Sequence, residues 1–210
     1  MNQLIEKLNF NVDVSELLDY YNTLQESYQD YKWTYQDSQS QIKEDFLNVY
    51  ANVDAKKKSG YGWAITTNNP DQTVKKNIPW YNISKHYDHG IKELPSERFT
   101  PMVFGVVQKI LEKIPYARCM SISVFEPGTE LVAHKDEPFL LRVHIPIKAN
   151  AKSYWLNNDG YTNFNVGEVY LCDTRESHSI HNDGTEDRIH LLFAIHQDNE
   201  DEIKKIKGTL

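Results

Sequence analysis

Seven stretches in the second half of the chain decide its fold: CMSISVF at 119–125, ELVAH at 130–134, LLRVHIPI at 140–147, YWLNN at 154–158, VGEVYLC at 166–172, HSIH at 178–181 and RIHLLFAIH at 188–196. Each is short. Each alternates apolar with polar residues or is rich in β-branched and aromatic side chains, the pattern of strands with at least one buried face. Turn signals separate them at Pro127-Gly128, Asn158-Asp159-Gly160, Val166-Gly167 and Asn182-Asp183-Gly184. Glycine there supplies backbone conformations that other residues resist, and Asn and Asp tolerate them. Many short strands at near-regular spacing predict a mainly β fold of two packed sheets, a cupin-like double-stranded β-helix or jelly roll.

Outward from that region, the first 115 residues read differently. Leu4, Ile5 and Leu8 are spaced for one helical face, and Leu17, Leu18, Tyr21 and Leu24 for another, with Asp13 or Ser15 as N-cap. Gln41 to Tyr50 reads as a third short helix, Tyr61 to Thr67 (YGWAITT) as a strand, and 68–98 as loop broken by Pro70, Pro79 and Pro95. Val103, Val106, Val107, Ile110 and Ile114 recur at three and four, predicting a helix over Met102 to Ile114 that Pro115 ends. The last stretch, DNEDEIKKIKGTL at 198–210, is charged and reads as a surface helix or frayed end. The expected organisation is one domain over 1–210: helical and lid elements at 1–115 cover a strand-rich catalytic half at 116–197, followed by the tail at 198–210.

The composition is globular, with 40% hydrophobic and 12% aromatic residues among 210. A net charge of −7 argues against a general nucleic-acid binder, which needs a basic footprint for phosphates. Lys56 to Lys58 is a short basic run best read as a solvated loop. Cys119 and Cys172 match no zinc or redox spacing and lie in apolar stretches, so both are expected as buried free thiols in a reducing setting. No signal-like apolar region opens the sequence and no apolar run approaches membrane-spanning length, so a soluble, cytoplasmic protein without a membrane partner is expected.

Five of the eight histidines lie between positions 134 and 190. His134 and Asp136 are two apart at a strand end, and residues two apart on an extended strand share a face, so an imidazole and a carboxylate can converge there on one ion. A third ligand from a distant strand would complete a 2-His-1-carboxylate facial triad of the non-haem iron(II) type. His178, 44 residues after His134, and His181, 47 after, are both placed for it. A downstream arginine selects His178. Arg188 lies ten residues on, across an Asn-Asp-Gly turn, where a buried guanidinium can fork onto a carboxylate near the metal. His181 is read as near-surface or supporting, His190 and His196 as structural, and Arg118 and Arg175 as surface or structural, with either able to reach a substrate acid group.

These stretches resemble the aspartyl/asparaginyl β-hydroxylase family of 2-oxoglutarate oxygenases, including bacterial members of the proline cis-4-hydroxylase type. The matching segments are SVFEPGT at 123–129, HKD at 134–136, RVH at 142–144, GEVYLCD at 167–173 and HSIHNDGTEDRIH at 178–190. The resemblance implies that His134, Asp136 and His178 bind Fe(II). It implies that Arg188 and Ser123 hold the distal carboxylate of 2-oxoglutarate, and that Arg142 and His144 lie near its proximal one. The gap from His134 to Arg142 is one residue shorter than in some members. The carboxylate Asp136 favours hydroxylation over halogenation, which needs a small residue there. Buried anions need cationic and hydroxyl partners, and these are the right side-chain types.

The implied reaction uses O2 and 2-oxoglutarate to hydroxylate an unactivated C–H bond, with succinate and CO2 as co-products. The expected substrate is an amino acid or related small molecule, with an Asp, Asn or other side chain of a peptide or protein as the alternative. Tyr61 to Trp63 and Ile78 to Tyr87 are candidate lid segments over the site, against a plainer reading as core and loop. The competing class is a non-catalytic or isomerase cupin-type metal-binding module, which would share the ligands but has no need of Arg188.

Overall fold

The computed structural model describes residues 4–10, 12–34, 60–66, 100–136 and 140–208. In chain order the first elements are β1 (Ile5–Leu8), α1 (Val14–Ser27), β2 (Lys32–Thr34), β3 (Gly60–Ala64), α2 (Gly105–Lys113), β4 (Arg118–Phe125) and β5 (Thr129–His134). Then come β6 (Leu140–Lys148), β7 (Ser153–Asn157), β8 (Gly160–Thr162), β9 (Val169–Cys172), β10 (His178–Asn182), β11 (Arg188–His196) and α3 (Glu200–Ile206). The strands form a seven-stranded sheet in the order β1-β9-β6-β11-β4-β3-β2 and a four-stranded sheet in the order β5-β10-β7-β8. Every pairing is antiparallel. This is the expected double-stranded β-helix with flanking helices.

β11 shows how the sequence builds it. Ile189, Leu191, Phe193 and Ile195 lie on one face, in a core they share with Leu17, Tyr20, Leu24, Val107 and Ile110 of the helices. Arg188, His190 and His196 alternate with them and are buried too, on the face toward the second sheet. β6 repeats the division, with Val143, Ile145 and Ile147 in the helix-side core and His144 buried on the other face. Between the sheets lies a smaller apolar cluster containing Ile5, Phe125, Trp155, Phe164, Tyr170, Cys172 and Ile180. The large sheet thus buries both faces, apolar toward the helices and mixed toward the second sheet.

Proline lacks the N–H of a ladder donor, so inside a sheet it settles at edges and bulges. Pro146 lies in the interior strand β6, and the β6–β11 register shifts beside it, from His190 opposite Pro146 to Ile189 opposite Lys148.

Several expectations need correction. Leu4, Ile5 and Leu8 do not mark a helix: Ile5–Leu8 is an edge strand paired with Val169–Cys172. Ile5 packs between the sheets and Leu8 in the helix-side core, so their spacing reflects a strand buried on two faces. Of the two N-cap candidates for α1, Asp13 is the one used, accepting from the backbone N–H of Ser15 and Glu16. Trp63 is fully buried, T-shaped against Tyr21 and Tyr61, and its indole N–H donates to the Tyr28 carbonyl at 2.9 Å. Tyr61 and Trp63 therefore line the helix side of the large sheet and are no lid. Lys56–Lys58, 41–50 and 78–87 lie outside the described residues. Neither cysteine is in a disulfide and both are buried, as expected. Among the described residues no helix is long and apolar enough to cross a membrane.

The tail forms α3, and its Ile206 joins the main core. Ile206→Ala is expected to cost about 2–5 kcal/mol, as a buried aliphatic truncation does. Urea denaturation measures it, and a change of only a few tenths would mean the helix does not dock. On the same helix, burial raises the Glu202 carboxyl above its ordinary value, with Lys205 opposing. The folded chain then binds that proton more tightly than the unfolded chain. Its stabilising contribution is fully present below the ordinary carboxyl pKa and is lost as pH rises through the raised value. Glu202→Gln is therefore expected to gain stability relative to the parent as pH rises above the ordinary carboxyl value of about 4; a pH-independent difference in urea midpoint would contradict this.

Candidate metal centre

The geometry begins with the pairing of β5 and β10. His134 stands directly opposite His178, while two residues along β10 Ile180 stands opposite Leu131, so β5 carries one extra residue between them. Leu131 packs against the inter-sheet cluster and Ala133 is exposed. Regular alternation from Leu131 would turn His134 outward. The extra residue turns it inward instead, a common use of a bulge beside a functional site. The two rings lie 4.3 Å apart, centroid to centroid.

Both imidazoles are oriented the same way. His134 Nδ1 lies 2.8 Å from the Val132 carbonyl oxygen, and His178 Nδ1 lies 2.9 Å from that of Glu176. A carbonyl only accepts, so each Nδ1 carries the proton and each Nε2 presents a lone pair. Trp155 stacks on the other side of His178 at 4.1 Å and 7°.

Asp136 joins them from just beyond β5. It is not on the strand, as its spacing from His134 suggests, but in the following loop, anchored by its backbone N–H to the Thr174 carbonyl at 2.8 Å. One carboxylate oxygen, Oδ2, accepts from Arg142 Nε at 3.0 Å, and the other, Oδ1, lies 3.6 Å from His134 Nε2. Ligand atoms of His134, Asp136 and His178 all lie within 4.8 Å of one another. Burial pushes the Asp136 carboxyl up, but Arg142 and the two imidazoles outweigh it and hold it at about 2. Burial, reinforced by His134, brings His178 down to about 4. At neutral pH these two groups are a carboxylate and a neutral imidazole, the forms that bind a cation.

The inner face of the large sheet supplies the surroundings from three adjacent strands. Arg142 and His144 come from β6, Arg188 and His190 from β11, and Ser123 from β4, where it pairs with His190. His144, His190, Arg188 and Ser123 are all buried. Arg188 lies over the Phe125 ring, 5.4 Å from its centroid, and its Nη2 is 3.1 Å from His190 Nδ1. His144 Nδ1 approaches the same nitrogen at 3.4 Å. Burial drives both histidines well below their ordinary pKa, and Arg188 does so further, so both are neutral. His144 also meets Trp155 and Phe164 edge to face, at 5.3 Å each.

The structure therefore brings all seven expected residues to one inter-sheet region. Two differ in setting from what the sequence suggests. Asp136 is a loop residue, and Arg142 spends its Nε on Asp136. His181 points away: it stacks on Tyr154 at 4.7 Å, and its Nε2 lies 2.9 Å from the Ser179 hydroxyl. Sequence reasoning passed over Trp155 and undervalued His190. Trp155 gave no signal beyond an apolar strand position, whereas His190 could have been found by its place two residues after Arg188 on the same face.

A family model described as aspartyl/asparaginyl beta-hydroxylase matches residues 36–198. The chain belongs to this family. It is accordingly an oxygenase-type enzyme of a hydroxylase family, and the match spans β3 to β11, with His134 and His178 inside it. No curated protein matches the chain. Among solved structures, it is similar to a predicted oxalate decarboxylase from Thermotoga maritima at 25% identity, over 42% of this chain and 72% of that one, with a TM-score of 0.33. It is also similar to a cupin domain from Bordetella pertussis at 16% identity, over 38% and 81%, TM-score 0.33. A Schizosaccharomyces pombe cupin domain matches at 14%, over 41% and 61%, TM-score 0.34.

His178→Ala is expected to weaken divalent-metal binding by more than the about 10–100-fold typical of losing an outer partner, whereas His181→Ala leaves it nearly unchanged. Anaerobic calorimetry with Fe(II) decides between them, and the reverse order would exclude His178 as the ligand.

Proposed function

We propose that this family member is an Fe(II)- and 2-oxoglutarate-dependent dioxygenase that hydroxylates an unactivated C–H bond of an amino acid or related small molecule. The observation that carries the reading is the convergence of two Nε2 lone pairs and one ionised carboxylate within 4.8 Å. Two imidazoles and a carboxylate suit a non-haem iron site with open positions, and a fourth protein ligand is not among the described residues of the cluster. Iron with 2-oxoglutarate and O2 would supply the oxidising power, giving succinate and CO2 as co-products.

The chain's own residues have separate tasks in this reading. His134 and His178 hold the metal through Nε2, their rings fixed by backbone carbonyls. Asp136 holds it through Oδ1, while Arg142 occupies Oδ2 and keeps the carboxylate ionised. Arg188 and Ser123 take the distal carboxylate of the co-substrate, and His144 faces the proximal end as a neutral ring. The apolar walls Trp155, Phe164 and Phe125 exclude water, which strengthens each of these interactions. The family's description favours an Asp or Asn side chain in a peptide as the second substrate class.

The test is succinate release by the Fe(II)-loaded protein with 2-oxoglutarate, over free amino acids and Asp- or Asn-containing peptides, with mass spectrometry for a gain of one oxygen. Turnover with the free amino acids is expected. Metal bound without 2-oxoglutarate consumption across the whole panel would overturn the reading in favour of a non-catalytic or isomerase cupin-type module.

A further inference from the structure

Two N–H groups between the sheets lack an acceptor. His190 Nε2 and Trp155 Nε1 are buried and have no hydrogen-bond partner among the described residues. Both residues are nearly inaccessible, at 0% and 2% exposure. They belong to one ring cluster: Phe164 lies 5.8 Å from the His190 ring and 6.0 Å from Trp155, and His144 lies 5.7 Å and 5.3 Å from the same two.

The protonation of His190 is set by its neighbours. A guanidinium can only donate. Arg188 Nη2 is 3.1 Å from His190 Nδ1, so that nitrogen accepts and the ring's one proton sits on Nε2. His144 Nδ1 lies 3.4 Å from the same nitrogen, a longer contact whose direction follows the His144 tautomer. Burial and Arg188 keep His190 neutral, so no second proton alters the assignment. The result is a single buried N–H of fixed position that meets no acceptor among the described residues. Such a group is costly unless a ligand supplies the acceptor. The acceptor that suits a site beside a buried guanidinium is an anionic oxygen.

We propose that His190 is a further binding residue of the co-substrate pocket, donating from Nε2 to the distal carboxylate of 2-oxoglutarate beside Arg188. Arg188 has two tasks here: it contributes charge to the pocket and it fixes the His190 tautomer that makes the donor. Trp155 Nε1 is a second buried donor of the same ring cluster without a partner among the described residues. The inference rests on the proposed use of 2-oxoglutarate.

The experiment uses the full chain loaded with Zn(II), which binds without turnover, and 2-oxoglutarate as the probe. Nitrogen-15 NMR of the histidine side chains reads the tautomer directly. His190 is expected as the Nε2–H form before addition, with its proton signal moving downfield and exchanging more slowly after it. Calorimetry then compares variants. His190→Leu is expected to weaken 2-oxoglutarate binding about ten- to a hundredfold, and His190→Gln, which keeps an N–H donor, by markedly less. Metal affinity should be unchanged in both. An Nδ1–H tautomer, an unmoved Nε2–H signal, or equal loss in Leu and Gln variants would overturn the proposal while leaving the dioxygenase reading standing. Failure of the unaltered chain to bind 2-oxoglutarate would overturn both. If His190→Leu does not fold, the NMR result on the unaltered chain decides alone.

Discussion

Two imidazoles must face one another across the β5–β10 ladder for the candidate centre to exist, and the side-chain period of a strand leaves no slack in that requirement. A shift of one residue sends every side chain of a strand to the opposite face. The extra residue in β5 uses that rule locally, bringing His134 to the inner face without disturbing Leu131. His178 needs no such device, because Ile180 and it share a face. Asp136 then arrives from a loop tied at Thr174, and Arg142 reaches it from the other sheet. The cluster is thus assembled across both sheets and fails if their packing changes.

That packing is possible because the central strands are buried twice. In β11, β6 and β4 the residues facing the helices are aliphatic or aromatic and make the main core. The intervening residues are free to carry chemistry, and Arg142, His144, Arg188, His190 and Ser123 all fall in these rows. Polar groups placed so deep require partners. Arg188, His190 and His144 partly satisfy one another, and their mutual hydrogen bonds determine which ring nitrogens carry protons.

The legible parts of the sequence were those where periodicity has one interpretation. RIHLLFAIH and LLRVHIPI alternate strictly enough to announce strands, and the helix containing Val106, Val107 and Ile110 repeats at three and four. The clustering of His134, Asp136, His178 and Arg188 was legible from residue type and spacing. Ile5–Leu8 was not, since apolar residues three apart suit a helix face and equally a strand with both faces covered. Lys32–Thr34 and Gly160–Thr162 are too short to carry a pattern. The bulge in β5 and the stacking of Trp155 on His178 depend on pairing between distant segments, which no local signal encodes. The tail looked superficial because its charges outnumber its one buried isoleucine.

β1 also constrains the order of events during synthesis. Its four residues are made early, yet they pair with Val169–Cys172, more than 160 positions later. Until that partner leaves the ribosome, the segment has no ladder to join, and loop closure over such a distance is slow. In the interval β9, once made, offers an open edge to any passing strand. The large sheet is therefore closed on that side by a strand made long before its partner, and a nascent molecule stalled before that closure keeps the β9 edge open to aggregation.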